Sequence, residues 1–397
     1  MSDINHISRK SIFSICAILV LCTIGANAAV LTPVPDNAAL LYYQAFLLRP
    51  DLDDATFIPF DRVLSGGDPD EVVREYLNLP DSRETIRIAE AATQILDCSW
   101  GIIRSQAYNT LLQQWRQLAF LLEVDARTLA FDGEYRNALE RCLSVRRFAQ
   151  HIVDEGVLGY FLSMPFDFRA LRCIHYVLGS MPPDIDTLIW LQGRISTVQG
   201  APPPPGRALE IELNDNVESL RVRPELFNTW REKVPDLVED ESARQEILSL
   251  TYEEVLERAK EPYNRFLSCV NRIIGSGISY QQKRLELKQL EEELKNSVVD
   301  DPYVLIRPFL PINVAEQHDI YVRGITVFNV TKVAIEIYLV NAETGQLPET
   351  LPANLPKDPF SGQDFEYNVS DEGFVISFDP DNFSDLRVRQ YEFPIAQ

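Results

Sequence analysis

Residue types that commonly do chemistry are sparse and scattered in this chain. Of its four histidines, His6 lies near the start, and His151, His175 and His318 stand far apart. None has the His-Glu-x-x-His or His-x-His spacing that lets one helix or strand hold a metal. Each of the last three sits among apolar neighbours and is expected to be structural. Carboxylates are the abundant reactive type, with 59 Asp and Glu. Asp300-Asp301 and the Asp236/Glu239/Asp240 group bring carboxylates close enough for a general acid and base to share a site. In so acidic a chain such groups also arise without chemistry. No Gly-x-Ser-x-Gly elbow and no glycine-rich phosphate loop after a strand is present. Arg136, Arg141, Arg146 and Arg147 form a local basic group that suits either an acidic partner or internal ion pairs.

The elements that would position these residues read as helices over most of the chain. Asp36 or Asn37 can cap a helix to about Leu48, apolar on most faces and so expected to be buried. A short helix follows from Val72 to Leu79, and Asp81 and Glu84 have capping-box spacing. Leu111, Trp115, Leu118, Leu122 and Leu129 form one helical stripe, and after Asp132-Gly133 a second runs through Ala138, Cys142, Val145, Ala149 and Ile152. Steps of three and four residues place these on packed helix faces. The segment "FDGEYRNALERC" is similar to the middle of a tetratricopeptide repeat, but no second copy at a fixed period accompanies it. A helix from about Asp184 to Val198 precedes "QGAPPPPGR", Gln199 to Arg207, whose prolines favour a polyproline II spacer. Helical segments resume at Ile247–Leu267 and at Tyr280–Asn296, where Leu287, Leu290 and Leu294 share a stripe; a helix packed on its neighbours is favoured there over a coiled-coil arm.

The start of the chain has the three parts of a secretory signal. Arg9 and Lys10 precede an uncharged apolar run from Ser11 to Gly25, and Ala26-Asn27-Ala28 offers a small-x-small exit. Cleavage is expected after Ala28. A retained anchor would need about 20 apolar residues, more than this run supplies. Leu21 before Cys22 and Ile15 before Cys16 do not suit lipid attachment. No other stretch is expected to span a membrane.

Removing Asp3, Arg9 and Lys10 from 59 acidic and 37 basic residues leaves 58 and 35, a formal charge of −23. That balance excludes nucleic acid as a partner and disfavours anionic lipid. The 46% hydrophobic and 10% aromatic content is enough to bury a core, so the chain is not a disordered acidic tail. Cys98, Cys142, Cys173 and Cys269 remain after cleavage. Without a Cys-x-x-Cys pair they do not form a zinc ribbon or thioredoxin-like site, and export permits one bridge among the first three without requiring it.

The C-terminal texture is different. Val327 to about Asn341 reads as an apolar helix. Beyond it, Pro348, Pro352, Pro356 and Pro359 exclude a continuous helix. Phe365 and Tyr367 alternate with polar residues, and Phe374, Ile376 and Phe378 repeat at period two. Two short strands around Asn368–Gly373 are expected, a small hairpin. The run "GQLPETL", "LPKDPFSGQDFEY" and "GFVIS" resembles the end of type II secretion pseudopilins, over roughly Lys332 to Asp385. The chain as a whole resembles large exported proteins of unknown function from planctomycete-type bacteria. An ordinary leader replaces the prepilin leader, and Phe360-Ser361 stands where Trp-Gly is usual. The resemblance therefore implies a borrowed structural module, with Pro359 and Phe360 packing the loop onto the helix, rather than polymerisation. It also implies a calcium site, for which Asp379, Asp381 and Asp385 are the candidate metal ligands with Asn382. Calcium takes about six to eight oxygens, and an EF-hand loop from Asp379 would meet Ser384 and Gln390 where Gly and Glu belong.

The fold class expected is mainly α: packed helical hairpins or a bundle, with a small C-terminal α+β module containing a β-hairpin. The expected organisation is a signal peptide at 1–28, a helical domain at 29–198, a Pro-rich linker at 199–207, a helical region at 208–326 and the pseudopilin-like module at 327–397. The function expected is that of an exported, non-enzymatic interaction or structural protein of the periplasm or envelope, with a protein partner and no cofactor beyond the calcium suggested above. The alternatives are a hydrolase using paired carboxylates and an accessory of a secretion or pilus-like machine.

Overall fold

Helix starts are set locally by side-chain caps. A computed structural model describes residues 36–101, 107–153, 155–197, 203–221, 224–298, 303, 313–378 and 389–395. The first four helices are α1 (Ala38–Leu48), α2 (Asp54–Leu64), α3 (Glu71–Asn78) and α4 (Pro80–Thr93). The side chains of Asn37, Asp53 and Asp70 accept the first-turn N–H groups of Ala39, Thr56 and Val73, satisfying donors the helix cannot. The α4 start differs from the capping-box reading of Asp81 and Glu84. Pro80 opens the helix, Leu79 precedes it without a side-chain cap, and Glu84 pairs with Arg87 at 2.6 Å. Proline at the first helical position has no N–H to leave unsatisfied, so no cap is needed there.

The two predicted stripes form a helical hairpin, α5 (Ala107–Phe131) and α6 (Tyr135–Val153). Leu111, Trp115, Leu118 and Leu122 are buried, as are Ala138, Cys142, Val145, Ala149 and Ile152. Gly133 turns the chain between them at φ +82° with open space where a Cβ would stand; its conformation, not its size, is what the turn needs. The next helix, α7 (Gly156–Ser180), is apolar on all sides. It supplies Leu171 and Ile174 to one core, Phe166 and Ala170 to a second, and Tyr160 and Met164 to a third. All-round apolarity is the mark of a central helix.

Five shorter and two longer helices complete the α part: α8 (Ile185–Thr197), α9 (Pro205–Arg221), α10 (Pro224–Leu237), α11 (Glu241–Leu248), α12 (Tyr252–Gly275), α13 (Tyr280–Val298) and α14 (Val314–Thr344). Pro205 is the first residue of α9, so the last proline of the run belongs to a helix; residues 198–202 lie outside the described residues. The apolar stretch Ile247–Leu267 is divided by a capping box, in which Thr251 accepts from Glu254 N–H and Glu254 accepts from Thr251 N–H. In α13, Leu287 is fully buried and Leu290 and Leu294 pack against the same core.

Helix α14 begins thirteen residues before the expected Val327. Its first half carries Gln317, His318, Asp319 and Arg323, which obscure the apolar pattern. Contrary to the expectation of no further candidate span, α14 is long and apolar enough to cross a membrane by length and composition. Buried residues make up 67% of its most apolar window, packed against the protein core. Gly345 ends it in the left-handed region at φ +73°.

Three strands follow: β1 (Glu366–Ser370), β2 (Gly373–Ser377) and β3 (Gln390–Pro394), antiparallel in that order. The predicted hairpin is β1–β2, with Tyr367 opposite Ile376 and Val369 opposite Phe374. The third strand was not expected: "QYEFP" has only two apolar positions at period two and ends in proline. It forms because Phe393 and Tyr391 face Phe374 and Ile376 across the register, with the Phe374 and Phe393 rings stacked 4.9 Å apart. The loop before β1 is pinned by polar contacts at Asp358 and Asn329. Asp358 accepts from Phe360 and Ser361 N–H at 3.0 and 3.2 Å, and Asn329 of α14 donates to the Lys357 carbonyl. Phe360 is buried against Tyr280 and Phe378. The fold is therefore mainly α with a small antiparallel β module, as the sequence implied.

Candidate functional site

Two polar grooves bring titratable side chains together among the described residues. The first, of about 370 Å³, lies where α3 and α4 meet the α5–α6 hairpin. The stripes that pack α5 on α6 turn Asp125 and Arg141 away from the apolar core toward this groove. Arg141 is its organising residue. Its Nε donates to Asp125 Oδ2 at 2.7 Å, and its Nη1 lies 2.7 Å from Glu90 Oε1. Asp125 is largely buried. Burial pushes its carboxyl above the usual carboxylate range, Arg141 opposes that shift, and Glu90 and Glu134 add to it. At the mouth, Arg74 grips Asp132 with two hydrogen bonds of 2.9 and 2.7 Å, which holds the Asp132 carboxyl below its usual range. A carboxyl raised by burial beside two further carboxylates is an arrangement that can support acid–base chemistry.

The second groove, of about 380 Å³, lies between α13 and the start of α14. Tyr280 donates to Asp319 Oδ1 at 2.6 Å, and Arg284 donates to both Asp319 oxygens. Burial raises the Asp319 carboxyl despite both bonds. Burial also raises the Tyr280 hydroxyl, with Asp319 second. Glu291 accepts the first-turn N–H of Ala315 at 2.8 Å, placing a carboxylate at the positive end of a long helix. Both grooves are built from ion pairs made within the chain.

The deepest charged groups serve packing. Arg146 donates to Asp167 at 2.8 Å with 1% and 6% of their side chains exposed, and the guanidinium lies over the Phe328 ring at 4.4 Å. Burial raises the Asp167 carboxyl against the pull of Arg146. Glu123 receives both Arg127 and Arg169. The predicted basic group is therefore not one surface: Arg141 and Arg146 point to different internal acids, and Arg136 lies over Trp190 at 4.7 Å.

The three histidines are each placed in packed surroundings. His151 Nδ1 is 2.9 Å from the Tyr42 hydroxyl, and His175 Nε2 is 2.7 Å from Thr331 Oγ1. His318 lies against Tyr280 and Tyr321. Burial, the first cause in all three, lowers their pKa values to about 4, 3 and 4, so neutral imidazole prevails.

The predicted carboxylate sites fall elsewhere. Asp379, Asp381 and Asp385, the candidate calcium ligands, lie outside the described residues, as do Asp300 and Asp301. Phe378 N–H donates to the Arg389 carbonyl at 3.0 Å, so the two ends of the 379–388 interval are adjacent. Asp236 and Glu239 are exposed, and Asp240 caps α11 by accepting from Ala243 N–H. Among the described residues, no group of three or more His, Cys, Asp or Glu is arranged to hold a metal ion. Asp125 and Asp319 were missed by sequence reasoning. Both sit singly on helices, and only their distant partners Arg141 and Arg284 reveal them. Comparison with family models, with curated proteins and with solved structures yields no match to this chain.

Proposed function

We propose that this chain is an exported, non-enzymatic helical interaction protein of the periplasm or cell envelope. Its protein partner docks on the outer face of α1 and the start of α2. The observation that carries this reading is an apolar row left uncovered on α1. That helix, AALLYYQAFLL, has no charged residue, although the chain as a whole carries −22. Leu40, Tyr43 and Leu47 recur at helical spacing on one face and are exposed, Leu47 at 87%. Phe57 and Ile58 of α2 are exposed as well, Ile58 at 71%. An uncharged apolar face on a strongly acidic molecule suits a protein with an apolar contact and a basic rim. The same charge repels nucleic acid and anionic lipid. The C-terminal helix and sheet serve as a structural module in this reading.

The test is capture from crosslinked envelope extract, followed by titration of the recovered partner. A Leu47→Lys/Ile58→Lys variant should keep its circular dichroism and melting temperature and bind that partner at least tenfold more weakly. Equal binding by the variant, or no reproducible partner, would remove the proposal.

A hydrolase reading is favoured by one observation, the raised carboxyl of Asp125 in a polar groove. On that reading Asp125→Asn abolishes turnover of a hydrolysable substrate while the fold persists. Absence of any activity that responds to Asp125→Asn dismisses it.

A further inference from the structure

We propose that Cys142 and Cys173 become joined by a disulfide in the exported protein, stapling α6 to α7 inside the core. The two residues come from the two arms of an antiparallel helical hairpin and are 0% and 1% exposed in the same core cluster. Successive cross-hairpin contacts fix their register. Phe148 meets Phe166, with rings 6.3 Å apart. Arg146 meets Asp167 at 2.8 Å. Six residues back from Phe148 and seven on from Phe166, the same ladder brings Cys142 to Cys173. After burial, the Cys173 side chain is the next influence on the Cys142 thiol, as its hydrogen-bonding neighbour. Cys98 packs at the edge of a different core cluster, near Tyr42, and Cys269 lies on α12. The four described cysteines are free in the structure.

The chemistry is thiol–disulfide exchange with a small-molecule disulfide such as oxidised glutathione. One cysteine thiolate attacks a glutathione sulfur, forming a mixed disulfide and releasing one glutathione thiolate. The second cysteine thiolate then attacks the protein sulfur of that mixed disulfide and releases the other. The two protein thiols lose two protons and two electrons, and one glutathione disulfide becomes two glutathione thiols. Complete burial of both sulfurs requires the exchange to precede close packing of α6 on α7, so the bridge forms during folding. The proposal rests on the export reading, because oxidising compartments outside the cytoplasm sustain such bonds.

The test refolds the reduced mature chain in oxidised and reduced glutathione, alkylates remaining thiols and maps a non-reduced tryptic digest. The expected product links the Cys142 peptide to the Cys173 peptide, two hydrogens lighter than the reduced pair, with Cys98 and Cys269 alkylated. The oxidised protein should lose about 5 °C of melting temperature on reduction, and a Cys142→Ala/Cys173→Ala variant should lose none. Four cysteines alkylated when the oxidised sample is unfolded in denaturant before alkylation, or a bridge from Cys98, would overturn the pairing. N-terminal sequencing of cell-made protein tests export separately, so a retained leader with a bridge formed on refolding would refute export and leave the pairing standing.

Discussion

At the residue scale, the buried histidines make stability depend on pH in a definite direction. Their folded pKa values, about 4, 3 and 4, lie below the unfolded value of about 6.5. Below pH 6.5 the unfolded chain binds protons that the folded chain excludes, so stability present above pH 6.5 is lost as pH falls toward 4. The raised carboxyls of Asp125, Asp167 and Asp319 act oppositely, since the folded state holds their protons more tightly and lower pH relieves their cost. They offset part of the histidine effect as pH falls toward the unfolded carboxylate value of about 3.9, whereas the imidazoles begin to charge in the unfolded chain already at about pH 6.5, which is the part that replacing His175 isolates. The urea midpoint should therefore fall from pH 7.5 to pH 5, and His175→Gln should flatten that fall; a midpoint that rises would contradict this account. The Arg146–Asp167 pair gives a second expectation. Asp167→Asn leaves a buried guanidinium without its counter-charge and should cost about 3–5 kcal/mol. The Arg146→Met/Asp167→Leu double variant should cost clearly less, as read from urea unfolding.

At the element scale, single backbone features decide whether helices and strands meet. Gly373 opens β2 at φ +152°, and a Cβ there would stand 2.1 Å from the Phe393 carbonyl oxygen. Gly373→Ala should therefore separate β3 from β2, at a cost of at least about 1–3 kcal/mol. The check is lowered amide protection from Gln390 to Phe393 in hydrogen exchange, with α5 and α6 unaffected. The Thr251–Glu254 capping box starts α12 where the apolar pattern runs on unbroken from α11. Thr251→Ala should cost about 1 kcal/mol, measured as a lower urea midpoint with unchanged slope. Periodicity alone runs Ile247–Leu267 together because Leu248, Leu250 and Val255 keep the apolar pattern through the break; α11 ends at Leu248 and the side chain of Thr251 starts a new helix, with no loss of hydrophobicity between them.

At the scale of the whole molecule, the central position of α7 and α14 links the helical hairpins to the β module. Phe328 of α14 covers Arg146 of α6, Thr331 meets His175 of α7, and Tyr338 donates to the Pro394 carbonyl of β3. Loosening α14 should thus weaken the sheet and the α6–α7 hairpin together. The face of α1 that carries Leu40 and Leu47 takes no part in this interlocking, and it is the proposed docking surface. Export belongs to this scale as well. N-terminal sequencing of the protein recovered from cells should begin at Ala29, and an intact leader or a lipid-modified Cys22 would contradict it.

The stripes at Leu111–Leu122 and Ala138–Ile152, the cap at Asn37, the turn at Gly133 and the β1–β2 hairpin were legible in the amino-acid order. Each follows from contacts within a few residues, or from a period that one buried face imposes. The mainly α class follows from the same local rules. The candidate sites were not legible, because Asp125 finds Arg141 and Asp319 finds Arg284 only when separate helices pack. The exposure of α1 was not legible either. Its composition is that of a buried helix, and whether another element covers Leu40, Tyr43 and Leu47 is settled by the arrangement of the remaining chain. Strand β3 likewise has too few apolar positions to announce itself and exists because Phe374 and Ile376 offer it a partner. Local propensity determined the elements of this protein; long-range packing decided which charges meet, which faces stay bare and which two thiols stand together.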